Sequence, residues 1–264
     1  MLLSLMTDYG LNDGFVAACH GAVLARAPQA RILDITHLIP PQDVRRGAAV
    51  LAQTLPDLPV GVHMAVIDPG VGTSRRAVTV EVARGDLLVG PDNGVLAWAA
   101  DALGGPLVAV QVLDRQEHAG AVTFDGRDVF APAAARLLSG TPIAQLGPAF
   151  AVTDLRRLRE PVVRVTDNGL ETEVLTVDRF GNIQLAARRA DAAGLAAGAE
   201  LHVTLPSTTI SLTFARTFAD VPIGAPVLFV DSAGHLALAI RDGNAADHFA
   251  AGPSDTVQLR LKVP

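Results

Sequence analysis

As far as Arg159, short apolar runs alternate with stretches of helical periodicity, the sequence sign of βαβ units. Residues 2–6 read as a strand buried on both faces. Asp13 can cap a helix reaching about residue 27, where Pro28 stops it. Residues 31–35 give a second strand. Asp43 then caps a helix that carries Val44, Gly47, Ala48 and Leu51 on one side. Residues 62–67 give a third strand, followed by the glycine-rich Asp68-Pro69-Gly70-Val71-Gly72-Thr73. Further strands are predicted at 77–82, 87–89 and 107–112, and helices at 95–103 and 129–138. This half is expected to be an α/β domain with an open, mostly parallel sheet flanked by helices.

From Val162 the helical signal fades. Residues 172–177, 201–205, 208–214, 227–230, 236–240 and 257–261 alternate or run apolar at strand length, with Gly and Pro between them. They predict a smaller all-β, barrel-like domain. The exception is the Ala-rich stretch 186–199, which reads as helical. The charged segment 154–161 marks the linker, giving an N-terminal domain over residues 1–158 and a C-terminal domain over 162–264.

Composition narrows the class. With 264 residues, 50% of them hydrophobic, the chain can bury a sizeable core and is no disordered tail. No uncharged run approaches the ~18 residues that span a bilayer, and the run 2–6 is too short for a signal-peptide core. No membrane association and a cytoplasmic location are therefore expected. A net charge of −6 with scattered basic residues disfavours nucleic-acid binding. The single cysteine, Cys19, rules out an internal disulfide and a cysteine metal cluster.

In an open α/β sheet, ligands bind beyond the carboxyl ends of the strands. Asp8, Asp34 and Asp68 fall at such ends. Asp8 either holds a turn or faces a ligand, while Asp34 reads as structural. The loop 68–76 says more: its glycines permit close backbone approach, and Arg75 can turn back toward Asp68. No Gly-Lys-Ser/Thr follows, so this is not a nucleotide P-loop. Pro91-Asp92-Asn93-Gly94 reads as a turn. Ahead of the last helix of this half stands Thr123-Phe124-Asp125-Gly126-Arg127-Asp128, in which Phe124 alone would be core and Asp128 alone a helix-dipole charge. Asp178-Arg179-Phe180-Gly181-Asn182 is a polar turn between strands. The histidines show no metal-ligand spacing on a common element, and no metal is assigned.

Together with Asp34-Ile35-Thr36-His37 and Ile39-Pro40-Pro41-Gln42-Asp43-Val44, the segments Thr7-Asp8-Tyr9-Gly10, 68–76, 91–94, 123–128 and 178–182 resemble the S-adenosylmethionine hydroxide adenosyltransferase family. These are S-adenosylmethionine hydrolases related to fluorinating and chlorinating enzymes, and the segments run in the family's order over nearly the whole chain. The resemblance implies hydrolysis of S-adenosyl-L-methionine to adenosine and L-methionine by a water, acting as hydroxide, at ribose C5′. It implies no metal or redox cofactor, and a homotrimer whose substrate lies between the N-terminal domain of one subunit and the C-terminal domain of a neighbour. By position, Asp8 matches the ribose-binding carboxylate and Phe124 a residue of the ribose and sulfonium pocket. Asp178 matches the partner of the methionine ammonium, Asn182 a contact to adenine and Ser232 a contact to the methionine carboxylate. Phe218 is chosen as the aromatic stacked on adenine, with Phe214 competing.

The family's hydrolases handle the water with an Asp, an Arg and a His. Asp68 and Arg75 match the first two. Where the halogenating relatives carry a halide-binding Thr, this chain has Val71, which speaks against halogenation. The His, however, is replaced by Asp125. Either Asp68 and Asp125 share a proton beside Arg75, or Asp125 only fixes the water. Two other classes follow from that departure and from the acidic residues: a non-catalytic S-adenosylmethionine or adenosine receptor, and a metal-dependent hydrolase using Asp8, Asp68 and Asp92.

Overall fold

The structure is a computed structural model that describes residues 1–115, 123–166 and 169–261. The chain divides into two compact units, Met1–Leu158 and Arg159–Pro264.

The first unit runs β1 (Leu2–Thr7), α1 (Phe15–Leu24), β2 (Arg31–Thr36), α2 (Val44–Thr54), β3 (Val62–Val66), β4 (Ala77–Val82), β5 (Leu87–Pro91), α3 (Ala97–Ala102), β6 (Pro106–Gln111), α4 (Ala131–Leu138) and β7 (Ala149–Phe150). Its sheet has the order β2-β1-β3-β5-β4-β6-β7. Strands β2, β1, β3 and β5 are mutually parallel, and β4 pairs antiparallel with both β5 and β6. The central strands are apolar on both sides because both faces are covered. Leu3, Leu5, Met64 and Val66 pack with Cys19 and Val23 of α1 and Ala134 and Leu137 of α4. Met6, Ala65 and Ile67 pack on the other side with Leu51 of α2 and Ala99 of α3. Each large side chain so buried contributes roughly 1.5–3 kcal/mol.

Asp43 accepts the Arg46 N–H at 2.8 Å and caps α2, as its sequence position predicts. Asp13 does not cap α1: Gly14 occupies the cap position without a side-chain bond, and the helix starts at Phe15, whose ring packs on Tyr9 and Phe124. A π-type turn over Gly126–Phe130 leads into α4.

The second unit runs β8 (Val163–Thr166), β9 (Gly169–Val177), β10 (Ile183–Arg188), β11 (Glu200–Leu205), β12 (Thr208–Phe214), β13 (Pro226–Val230), β14 (His235–Ile240), α5 (Ala245–Phe249) and β15 (Thr256–Leu261). Seven strands close into a barrel in the order β10-β14-β13-β12-β11-β15-β9 and back to β10. β8 pairs with β9 outside the ring. Only β12 and β13 pair in parallel among the ring's neighbours. Val174, Leu185, Leu201, Val203, Leu238, Val257 and Leu259 fill the interior. The expected helix over 186–199 is therefore corrected. Residues up to Arg188 belong to β10, and only a 3₁₀ turn follows at Arg189–Ala192. Pairing with β9 and β14, and burial of Ile183, Leu185 and Ala187, override alanine's helix preference. No helix among the described residues is long and apolar enough to cross a membrane.

Candidate active site

The parallel strands aim their carboxyl ends at one rim of the sheet, and four chain segments meet there. β1 delivers Asp8 and Tyr9, and α1 opens with Phe15. The loop after β3 brings Asp68 and Val71, and residues 123–126 complete the wall. They enclose a cavity of about 300 Å³.

The loop after Asp68 is shaped by its own bonds. Thr73 Oγ1 donates to the Gly70 carbonyl at 2.7 Å and accepts the Arg75 N–H at 3.2 Å. Gly72 sits at φ +77°, in the left-handed region that glycine enters without strain. The chain thereby reverses and returns Arg75 onto Asp68. Arg75 Nε donates to Asp68 Oδ1 at 3.0 Å, and Nη2 donates to Asp68 Oδ2. The same Nη2 reaches Asp125 Oδ2 at 2.7 Å. The three side chains are 8%, 5% and 4% exposed, so this is no surface ion pair screened by water. The Phe130 ring backs the guanidinium at 5.3 Å.

Asp125 has a second cation. Arg115 Nη2 donates to its Oδ1 at 2.6 Å, so each carboxylate oxygen of Asp125 meets a guanidinium. This contact was not anticipated, because Arg115 follows β6 in an unremarkable loop and meets Asp125 only in the folded chain. Burial pushes the Asp68 carboxyl above its ordinary value, against the opposing charge and hydrogen bonds of Arg75, while the Asp125 charge raises it further.

The cavity wall also carries an aromatic triangle. Tyr9, Phe15 and Phe124 have ring centroids 5.2–5.9 Å apart in tilted and edge-on contacts. Burial raises the Tyr9 phenol well above its usual range, and the charges of Cys19, Asp8, Asp68 and Asp125 add to that. Tyr9 and Phe15 were also missed from sequence, since an isolated aromatic near a strand end or helix start carries no distinctive spacing. Gly126 has a specific reason to be glycine: a methyl group there would collide with the Tyr9 hydroxyl. Asp8 Oδ2 accepts the Gln42 N–H at 2.8 Å, and Gln42 is itself left-handed at φ +67°.

Asp92 lies apart from this array. It pairs with Arg76 at 2.6 and 2.9 Å and accepts the Arg156 N–H at 2.8 Å. The acidic trio invoked for a metal-dependent hydrolase is thus not assembled. Asp128 stands in the first turn of the π-type segment, as a helix-dipole charge would, and is fully buried there, paired with Arg127 at 2.6 and 2.9 Å. A Ser–His–Asp arrangement does exist elsewhere: Ser4 Oγ lies 2.7 Å from His63 Nδ1, and His63 Nε2 lies 2.9 Å from Asp86 Oδ1. All three residues are sealed from solvent and Arg84 also binds Asp86, so the arrangement holds strands together and meets no substrate.

In the second unit, Asp178 Oδ1 accepts the Phe180 and Asn182 N–H groups at 2.8 and 2.9 Å. Its Oδ2 accepts Asn182 Nδ2 at 2.7 Å, so the two residues share one tight turn. Ser232 is exposed between β13 and β14, next to Asp231, which organises that turn by accepting the Ala233 and His235 N–H groups. Phe218 is 39% exposed and leans on Phe229 at 4.6 Å, whereas Phe214 is 5% exposed in the barrel core. Only Phe218 of the pair offers a ring face.

Residues 3–147 match the SAM hydroxide adenosyltransferase N-terminal domain, and residues 172–258 match the corresponding C-terminal domain. An (R)-S-adenosyl-L-methionine hydrolase of Salinispora arenicola is 53% identical over 98% of this chain and 97% of its own. A fluorinase of an Actinoplanes species is 29% identical over 90% of each chain. The crystal structure of an uncharacterized conserved protein from Thermotoga maritima superposes with a TM-score of 0.91 at 29% identity. It covers 97% of this chain and 99% of the other.

Proposed function

The chain belongs to the SAM hydroxide adenosyltransferase family, and on that premise we propose that it hydrolyses S-adenosyl-L-methionine to adenosine and L-methionine through Asp68, Arg75 and Asp125. One observation carries this reading: Arg75 grips Asp68 through two nitrogens and Asp125 through one, in the wall of the cavity that Asp8 also lines.

The chemistry asks little of the protein beyond placement. A C5′–O bond forms as the C5′–S bond breaks, and sulfur keeps the bonding pair, so methionine leaves as a neutral thioether. No acid is needed for that departure. The attacking water must lose one proton and stand in line behind C5′. Asp68 takes the proton, because burial makes its carboxylate a better base than an exposed one. Asp125, with both oxygens engaged by Arg75 and Arg115, orients that water and the Arg75 fork. Of the two roles open to Asp125, this geometry supports fixation over proton sharing, since two cations face two carboxylates. The aromatic triangle keeps other waters away.

Asp8 receives the ribose hydroxyls and Phe124 packs on the sugar and sulfonium. Asp178 meets the methionine ammonium, Asn182 contacts adenine, Ser232 meets the methionine carboxylate, and Phe218 stacks on the base. The protein works as a cytoplasmic homotrimer, each site combining the N-terminal domain of one subunit with the C-terminal domain of a neighbour. Mixing inactive Asp68→Asn and Asp178→Ala subunits tests that arrangement. Activity regained on mixing supports it, and none regained rejects it.

The non-catalytic receptor is not favoured: the full-length similarity is to a protein named as a hydrolase, and Asp125 stands in the array instead of leaving a gap. Incubation with the substrate should yield adenosine and methionine in equal amounts, resolved by chromatography. No adenosine above the buffer control would leave only the receptor.

A further inference from the structure

Three potential metal ligands that the sequence scatters over two elements converge outside the cavity. α1 presents His20, β2 presents Asp34, and His37 follows directly after β2. His20 Nε2 lies 2.9 Å from Asp34 Oδ1, and His37 Nε2 lies 3.1 Å from the same oxygen. The three ligand atoms all fall within 4.8 Å of one another. Zinc bonds nitrogen and carboxylate oxygen at about 2.0–2.2 Å, which puts the ligand atoms of a tetrahedral ion about 3.3 Å apart. Both nitrogen–oxygen distances lie within about 0.4 Å of that spacing.

A second observation points to a ligand. The His37 side chain is 3% exposed, yet its Nε2 has no hydrogen-bond partner, because the contact with Asp34 does not meet hydrogen-bond geometry. Buried polar atoms are almost always satisfied. The other ring nitrogen, Nδ1, lies 2.8 Å from Thr7 Oγ1, which already accepts the Tyr9 N–H at 3.2 Å. In the tautomer whose Nδ1 donates to Thr7 Oγ1, Nε2 turns a bare lone pair toward a carboxylate oxygen. Two electron-rich atoms held that close call for a cation between them. The Nδ1 contact is also the supporting bond that fixes tautomer and ring direction in metal-binding histidines.

We propose that His20, Asp34 and His37 form a binding site for a divalent transition ion of the zinc type. Two imidazoles and one carboxylate favour such an ion over Mg²⁺ or Ca²⁺, which prefer oxygen alone. His20 and Asp34 are 28% and 40% exposed, so the ion can enter from solvent and keep a water as its fourth ligand. Its effect reaches the cavity through His37, whose backbone carbonyl accepts the Gly10 N–H at 2.8 Å. The ion thus anchors both ends of residues 7–10, the segment that carries Asp8 and Tyr9.

The test uses the full chain, stripped with a chelator and dialysed, then titrated with ZnCl₂ by calorimetry and with CoCl₂ by visible absorption. Saturation at a single ion per chain is expected, with the intense absorption of four-coordinate Co²⁺. At a free zinc concentration a hundred times its Kd, the folded-to-unfolded ratio should rise about a hundredfold. His20→Gln and Asp34→Asn should each weaken zinc binding by ~10-fold or more, whereas His248→Gln, at an exposed position, should leave it unchanged. Absence of saturable zinc binding overturns the proposal. So does binding unaffected by the first two substitutions, which marks an adventitious ion, or equal binding of Mg²⁺. The Co²⁺ spectrum of the unsubstituted protein decides the matter even if a variant folds poorly.

Discussion

Replacing Asp125 with Asn separates the role of its charge from that of its bulk. The carboxylate accepts two charge-assisted bonds, at 2.7 Å from Arg75 and 2.6 Å from Arg115. An amide of the same shape has one acceptor oxygen, so its NH₂ must face one guanidinium and at least one bond is lost. A hydrogen bond to a charged group contributes about 1.5–3 kcal/mol. If that orientation matters only when the water attacks, the loss converts to a fall in kcat of about 10- to 150-fold. Ground-state binding rests on other residues, so KM should move by no more than about twofold. Initial rates of adenosine release over a range of substrate concentrations give both constants. The thermal midpoint, measured in parallel, checks that the Asp68–Arg75 fork still holds the loop. An unchanged kcat removes Asp125 from the mechanism, and a loss carried wholly by KM makes it a binding residue instead.

Asp68→Asn should lower kcat by about 10²- to 10⁴-fold, and the unsubstituted enzyme should lose activity as pH falls through the raised Asp68 value, which lies above 3.8, because the base must be ionised. A pH–rate profile whose acid limb sits at or below 3.8 would contradict that assignment. His63 and His235 are both held below 6.5, chiefly by burial. Below pH 6.5 the unfolded chain therefore takes up protons that the folded chain refuses, and each histidine removes about 1.4 kcal/mol of stability per pH unit until its folded value is reached. Denaturant melts of His63→Gln between pH 6.5 and 4.5 should show a shallower decline than the parent, and an identical slope would refute the point. Gly126→Ala should displace the Tyr9 ring and impair turnover by about tenfold or more while the protein stays folded, and unaltered kinetics would show that Tyr9 has room to yield.

The parts of this structure visible in the sequence are those governed by local rules. Strands β1, β3 and β4 announce themselves as apolar runs, and Asp43 occupies a cap position that any reader of helices would assign. The return of Arg75 to Asp68 was also legible, because a loop with two glycines and a Thr at its centre has few ways to run. What escaped depends on distant partners. Residues 186–188 have the composition of a helix and become strand only because β9 and β14 flank them. Asp13 has the chemistry of a cap, but the aromatic contacts of Phe15 mark where the helix begins. Arg115 and Asp125 meet across a span of chain with no periodicity. His20 and His37 lie on different elements, so their convergence on Asp34 cannot be read from ligand spacing along one of them. Phe218 and Ser232 have site roles only through the resemblance, and the fold itself distinguishes the exposed Phe218 ring from the packed Phe214.

Closure of the barrel has a further consequence for solubility. Every strand in the ring has a neighbour on both sides, β12 and β13 meeting only through Thr213 and Phe214, and the appended ribbon Val163–Thr166 forms an outer edge beside β9. A stray chain seeking to extend the sheet at that edge meets four residues rather than a long template. In the middle of them stands Arg164, paired with Glu171 at 2.9 Å, a charge that would have to be stripped of water before any foreign strand could settle beside it.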